Sequence, residues 1–437
     1  MCQSLGMAHG DESEAERFAS YVEQLSSVVG HADRREPLRQ YLTGLLLPGE
    51  RKSVEPMAAK IDPAHVRARH QSMHHFVANA PWDEEALLRV ASDYALAQLE
   101  RHAPVAAWVV DDTGMPKKGR HSVGVARQYC GALGKQANCQ VAVTVSLVNE
   151  VLSVPCAYRL YLPEEWAGDP ERRAAAGVPR EVVFEKKWQI ALGQIDQLRA
   201  EGLPPAPILA DSGYGVASEF REALTQRGLV YAAGVTEDTT VWPPGQEPLP
   251  PKPWTGRGQR PKLLRRTPEH HPVSVLELAA ALPAELYETV RWREGTRGRM
   301  ASRFAAVRVR PAHRDTLRTT PWPVEWLLIQ WPEGHKKPSH YWLSTAAETA
   351  ALEDLVRLVQ VRWRIERDYQ ELKDEIGLDH YEGRGWRGFH HHGVLCIAAY
   401  AFLAAERARL SPPLPLSFLQ AAPVPEGFQP RGAAAAT

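Results

Sequence analysis

The chain has 437 residues, 44% of them hydrophobic and 24% charged, enough for two or three cores and typical of a folded globular protein. This excludes a disordered chain, a collagen-like rod and a helical membrane protein, since no apolar run reaches the roughly 18 residues of a membrane span. Lys plus Arg and Asp plus Glu are 52 each, so a polyanion would bind only where cations cluster locally. The polar, acidic start from Met1 to Glu16 is no secretory signal. Five cysteines (Cys2, Cys130, Cys139, Cys156, Cys396) form no CxxC pair. They read as reduced, packed thiols of a cytoplasmic protein.

In chain order, residues 12 to 100 are expected to be helical. Phe18, Tyr21, Val22, Leu25 and Val28, then Leu38, Tyr41, Leu42, Leu45 and Leu46, recur at three- and four-residue spacing. Breaks fall at Pro48-Gly49, Asp62-Pro63 and Ala80-Pro81, and Asp83-Glu84-Glu85 suits a helix N-terminus. From Ala106 the pattern turns to strands: Ala106 to Val110 ending in Asp111-Asp112, then Gln140 to Leu147 and Leu152 to Leu162. A helix around Lys186 to Leu198, a short strand Pro207 to Ala210, a helix Ala217 to Gln226 and a strand Leu229 to Ala233 complete a mixed sheet covered by helices. A proline-rich opening, two arginine clusters (Arg257 to Arg266 and Arg291 to Arg303) and strand-like runs at Arg303 to Arg310 and Val324 to Trp331 mark residues 236 to 338 as an inserted β-rich subdomain with a cationic face. A strand His340 to Thr345, a long helix Leu352 to Glu375 and a helix His392 to Arg409 follow. The tail from Ser411 to Thr437, with six prolines and an alanine run, is expected to wander in solution. The stretch from Arg51 to His70, with Lys52, Lys60, Arg67 and Arg69, is basic enough to lie on phosphates, an ordinary solvated bundle being the plain alternative. The expected divisions are a helical domain at 1–100 that would bind DNA through this stretch, a core in two parts at 101–235 and 339–410, the insertion at 236–338 and the tail at 411–437.

Two acids end hydrophobic strands and precede small residues: Asp111-Asp112-Thr113-Gly114 and Asp211-Ser212-Gly213-Tyr214-Gly215. Strand ends in helix-covered sheets aim side chains into open crevices, although an acid there also serves as a helix cap or turn-former. A third acid, Glu366, follows Arg362 by one helical turn and precedes Lys373 by two, so the three share a stripe beside apolar Leu355, Leu358, Ile365 and Leu372. A surface salt-bridge ladder is the plain alternative. The triplet His390-His391-His392 points three ways around a helix and makes a poor mononuclear metal site.

Taken together, the Asp-Thr, Asp-Ser-Gly-Tyr-Gly and Arg-Trp-Arg-Ile-Glu…Leu-Lys…Gly-Leu runs resemble the DDE-type transposases of bacterial insertion sequences. The branch is the one whose third acid lies on a helix marked by Tyr, Arg, Glu and Lys, and the resemblance covers about residues 100 to 405. It implies an α/β, RNase H-like mixed sheet flanked by helices, with an inserted β-rich subdomain and an N-terminal helical domain. It also implies catalytic, metal-binding acids at Asp112, Asp211 and Glu366. Asp111 competes with Asp112, because neighbouring strand residues face opposite ways; Asp112, directly before Thr113 as in the family, is the expected ligand. Arg362 and Lys373 would be the signature basic residues, with Lys117, Lys118, Arg120, Arg297 and Arg299 as further DNA contacts. The signature Tyr falls at Val359, a departure that bears on DNA contact.

The cofactor implied is a pair of Mg²⁺ ions, with Mn²⁺ able to substitute. Hard oxygen donors suit Mg²⁺, and two ions stabilise both attacking and leaving oxygens of a phosphodiester. The activity implied is hydrolysis at transposon ends and transfer of the 3′ hydroxyl into target DNA. Its partners would be double-stranded terminal inverted repeats and target DNA, its DNA complex a dimer, its place the bacterial cytoplasm beside the nucleoid. Rival readings are a domesticated DNA-binding regulator on the same fold, a plain endonuclease without strand transfer, and a glycosidase using paired carboxylates. The Lys and Arg framing of the acids disfavours the last.

Overall fold

A computed structural model of the chain describes residues 12–295 and 298–410, apart from the side chains of 293–299. The expectations for the tail at 411–437, for Cys2, for Arg297 and for the side chain of Arg299 lie outside the described residues. Helix α1 (Glu14–Ser26) opens with a reciprocal cap. The Glu16 N–H donates to Ser13 Oγ (3.3 Å) and the Ser13 N–H to Glu16 Oε2 (2.8 Å). Helices α2 (Arg35–Leu46), α3 (Val54–Ile61) and α4 (Val66–Ala78) follow. Helix α5 (Glu84–His102) starts where the acidic run placed it. Its cap is Asp83, which accepts from the Glu85 and Ala86 N–H groups at 3.0 Å each.

The core begins with β1 (Ala107–Pro116), β2 (Ala126–Cys130), β3 (Lys135–Val148) and β4 (Ser153–Leu160). After short helices α6 (Glu164–Ala167) and α7 (Pro170–Ala175) come α8 (Lys187–Ala200), β5 (Ile208–Ala210), α9 (Ser212–Gly215), α10 (Ser218–Gln226) and β6 (Tyr231–Val235). The inserted stretch supplies β7 (Thr240–Trp242), β8 (Val273–Ser274), α11 (Val275–Ala281), β9 (Glu288–Gly295), β10 (Gly298–Pro311) and β11 (Glu325–Trp331). The chain returns with β12 (His340–Ser344), α12 (Leu352–Gln360), α13 (Trp363–Asp374) and α14 (Trp386–Leu410).

Strand β3 runs antiparallel to both β4 and β1, β5 lies parallel to β1, and β6 parallel to β5. The spatial order β4-β3-β1-β5-β6 is an antiparallel meander followed by two parallel strands, the RNase H-like arrangement. Beyond β6 the same sheet continues through β12, β11, β10, β7 and β8. The insertion therefore extends the central sheet by strand pairing while keeping a core of its own around Val241, Val275, Leu278, Ala305, Leu327 and Ile329.

One core joins the sheet, the N-terminal helices and α14. Tyr21 donates to the Ala398 carbonyl (2.8 Å), the Tyr41 hydroxyl lies 2.9 Å from His392 Nδ1, and Trp82 stacks on His391 at 3.6 Å between ring centroids. The histidine triplet is thus packing material. Each ring faces a different neighbour: His390 accepts from the Leu160 N–H (3.1 Å), His391 lies 3.0 Å from the Val77 carbonyl, and His392 lies 3.0 Å from the Gly377 carbonyl. Burial pushes the imidazolium pKa values of His390 and His392 down to about 4. Among the described residues no helix is long and apolar enough to cross a membrane.

Candidate active site

Sheet register decides which acids can meet. Strand β1 pairs with β3 so that Asp111 opposes Thr144 and Asp112 opposes Val143. Directly opposed residues share a face, and neighbours along a strand do not. The Val143 level belongs to α8: Gln194 donates to the Val143 carbonyl (3.0 Å), and Lys187, at the start of α8, binds Asp112 Oδ2 at 2.7 Å. The Thr144 level belongs to α13: buried Tyr369 lies close enough to Thr144, Ser146 and Asp111 to be influenced by all three, and Thr144 Oγ1 donates to the Asp111 carbonyl at 3.1 Å. Asp111 therefore faces the helix that carries Glu366, and Asp112 faces away from it.

The second acid follows the same register. Val110 pairs with Ala210 across parallel β1 and β5, so Asp111 and Asp211 each stand one residue further along, side by side and on the same face. Asp211 is held there by a glycine contact. A Cβ on Gly215 would lie 2.0 Å from the Gly234 carbonyl oxygen, so only glycine lets the Ser-Gly-Tyr-Gly turn lie flat on β6. Gly234 is the matching residue that the sequence did not flag, and a Cβ there would lie 2.9 Å from the Ser212 nitrogen.

The three acids converge on one guanidinium. Arg362 Nη2 donates to Asp111 Oδ2 at 2.8 Å and stands 4.0 Å from Asp211 Oδ2, while its Nη1 is 3.5 Å from Glu366 Oε1. The side chains of Arg362 and Asp111 are 23% and 17% exposed, that of Asp211 39%, and that of Glu366 69%. Burial pushes the Asp111 carboxyl up to about 7; Arg362 opposes the rise, and Asp211 and Asp112 add to it. Asp211 Oδ1 and Arg362 Nε are buried with no hydrogen-bond partner.

The expected single helix from Leu352 to Glu375 is two, α12 and α13, separated at Val361 and Arg362. Both keep right-handed helical dihedrals (φ −62°, ψ −23° and φ −59°, ψ −29°). The break turns Arg362 toward the acids and buries Val361. Val359, at the signature Tyr position, is buried against the core.

The remaining basic residues divide. Lys373 Nζ donates to the Gly114 carbonyl (3.0 Å), tying α13 to the end of β1, and burial lowers its pKa. Lys117 donates to the Tyr381 carbonyl (2.7 Å) and is likewise half-buried with a lowered pKa. Lys118 and Arg120 are exposed on the loop that follows. Sequence reasoning missed Lys187 as the partner of Asp112 and His340, which lies within electrostatic reach of Arg362 and Glu366. No local pattern marks either.

Among the described residues no three His, Cys, Asp or Glu side chains are drawn together tightly enough to hold a metal ion, because Arg362 stands between the acids. The donor set is nevertheless that of a hard cation: adjacent carboxylates on Asp111 and Asp211, an unpartnered buried oxygen on Asp211, and Glu366 at the rim. Asp112, the expected first ligand, is engaged by Lys187 on the opposite face. In this geometry Asp111, not Asp112, lies beside Asp211 and Arg362, for the reason of strand alternation just given.

A family model described as DDE superfamily endonuclease matches residues 24–299, well over half of the chain. A curated protein of Microchaete diplosiphon, named a probable transposase for insertion sequence element IS701, is 34% identical over 172 residues. That stretch covers 39% of this chain and 42% of the relative's length. A solved piggyBac transposase synaptic complex with hairpin DNA aligns over 95% of this chain and 77% of that one. It does so at 12% identity and a TM-score of 0.32, too low to bear on the fold.

Proposed function

The chain belongs to the DDE superfamily of endonucleases, and from that premise we propose that it is an insertion-sequence transposase. In this reading it cuts transposon ends in a metal-dependent reaction and joins the freed 3′ hydroxyl to target DNA. The observation that supports it most is the convergence of Asp111, Asp211 and Glu366 on Arg362, where β1 passes the end of parallel β5. Asp111, Asp211 and Glu366 would hold two Mg²⁺ ions, or Mn²⁺ in their place. When bound, divalent ions supply Lewis acidity to the scissile phosphate and lower the pKa of water.

The chain's own residues do the rest. The register of β1 against β5 fixes Asp111 beside Asp211 before substrate arrives, which is preorganisation in the ordinary sense. Arg362, able to leave the acids, would bind the phosphate flanking the cut. Exposed Lys118 and Arg120 would extend that grip along the strand. Lys373 and Lys117 act instead as positioning residues, holding α13 and the 379–381 turn against the end of β1. Arg297 and Arg299 remain proposed DNA contacts. The substrates would be terminal inverted repeats and target DNA, and joining two ends calls for a dimer on DNA.

The test is a set of single substitutions assayed on terminal-repeat DNA with Mg²⁺. Asp111→Asn, Asp211→Asn and Glu366→Gln should each bring cleavage to background while DNA binding persists. Asp112→Asn should retain cleavage; the reverse outcome for the two neighbours would return the first ligand to Asp112. Supplying pre-cut ends with free 3′ hydroxyls separates a transposase, which transfers them, from a plain endonuclease, which does not.

A further inference from the structure

The proline-rich segment between β7 and β8 is a loop with a fixed foot and a free tip. At the foot, Leu249 and Arg265 exchange backbone hydrogen bonds of 2.9 Å each. Trp242 Nε1 and Arg266 Nε both donate to the buried carboxylate of Asp315, at 2.7 and 2.8 Å. Leu264 is buried, and its N–H donates to the Arg318 carbonyl (3.0 Å). Arg318 pairs with Glu222 on α10 at 3.1 Å. The foot thus reaches α10, the helix that follows the turn carrying Asp211.

The tip, residues 251–263, has the opposite character. Gly256 and Gly258 turn it with left-handed dihedrals (φ +84° and +73°), conformations that favour glycine. Trp254 is 54% exposed and Leu263 48% exposed. The Trp254 indole N–H reaches the Gly258 carbonyl at 3.3 Å, which leans the ring on its own turn. Lys252, Arg257, Arg260 and Lys262 are exposed, and the sequence has no Asp or Glu from 248 to 268. A neutral protein has here gathered uncompensated cations around an indole left in water. Cations along a backbone and an aromatic face for a base are the two elements of single-strand recognition.

We propose that this loop is a single-stranded DNA clamp, in which Trp254 stacks on an unpaired base and Lys252, Arg257, Arg260 and Lys262 hold the flanking phosphates. The proposal rests on the DNA reading above and adds to it a surface outside the acid site. The test uses the full-length protein and two fluorescent probes, an oligothymidine and a blunt duplex of equal length, with binding followed by anisotropy. Trp254→Ala should weaken oligothymidine binding about ten-fold, the lower part of the range for loss of one stacked base, and leave the duplex unaffected. Trp254→Phe should restore most of the loss. Arg257→Gln with Arg260→Gln should weaken both probes and flatten the dependence on salt. Wild-type binding to both probes that Trp254→Ala leaves unaltered would overturn the clamp while sparing the DNA reading. A wild-type protein that binds neither probe would overturn the DNA reading itself.

Discussion

Replacing Arg362 with glutamine removes the cation on which the three acids converge, and the consequence for metal affinity can be worked from the contacts. Arg362 donates to Asp111 Oδ2 at 2.8 Å, with both side chains less than a quarter exposed. Hydrogen bonds of this charged kind contribute about 1.5–3 kcal/mol net. A divalent ion bound by Asp111 and Asp211 competes with the guanidinium for the same oxygens, so binding in the native chain must first break that bond. At about 1.4 kcal/mol per decade, Arg362→Gln should tighten Mg²⁺ binding about 10- to 100-fold. An opposing effect follows from the same contact. Asp111 stands at about 7 with Arg362 holding it down. Without Arg362 it rises further, and a protonated carboxyl is no ligand. The gain should therefore be largest near pH 9 and shrink as pH falls through 7.

Titration calorimetry with Mg²⁺ alone, at pH 9 and pH 7, reads both effects without any turnover. Cleavage by the same variant should fall, because the guanidinium would no longer be available to a phosphate. Tighter metal and slower cleavage in one protein is a pairing that a merely structural arginine would not produce. Equal or weaker Mg²⁺ affinity for the variant at pH 9 would refute the competition.

Two further outcomes follow from the fold. His390 and His392 have folded-state pKa values near 4 against an ordinary value of 6.5. The unfolded chain thus binds protons first, and stability is lost as pH falls from 6.5 through 4, by about 3 kcal/mol for each ring. Urea midpoints across that window, with NMR titration of the imidazoles showing no protonation above pH 5 in the folded protein, check the sign and the source. Gly215→Ala places a methyl 2.0 Å from the Gly234 carbonyl and should destabilise by about 1–3 kcal/mol through overpacking. Because the strain falls on the turn after Asp211, Mg²⁺ affinity should drop with it; a change in urea midpoint with unchanged affinity would detach that turn from the site.

What the sequence disclosed followed the range of the forces involved. Local periodicity and capping gave the N-terminal helices, the start of α5 at Asp83, strands β4, β11 and β12 to within a few residues, and the centres of β1 and β3, although β1 runs on past Asp112 to Pro116 and β3 begins at Lys135, ahead of Gln140. Non-local pairing was less legible. The stretch 236–338 read as a separate β-rich piece because nothing in its own pattern says that β12 and β11 will pair with each other and with β6 in the central sheet. The break between α12 and α13 was hidden for another reason. Val361 and Arg362 are acceptable helix residues and keep helical dihedrals, so only the pull of the core on Val361 and of the acids on Arg362 separates the two helices. Lys187 and His340 come to the site from distant elements, with no motif to announce them.

The neighbouring acids Asp111 and Asp112 show where sequence reasoning stops and register begins. Alternation along a strand says that one faces each way, and both lie within β1, so local chemistry does not choose between them. The choice is made by Thr144, which opposes Asp111 and touches the α13 side, and by Gln194 and Lys187, which claim the Val143–Asp112 level for α8. A shift of one residue in the pairing of β1 with β3 would exchange the two acids completely. That shift is opposed by close packing on both faces, since Val109, Val110, Val143 and Val145 are all fully buried and would each have to be refitted against the opposite layer. The identity of the acid beside Asp211 is therefore set by the apolar residues that fix the register, several positions away from any charge.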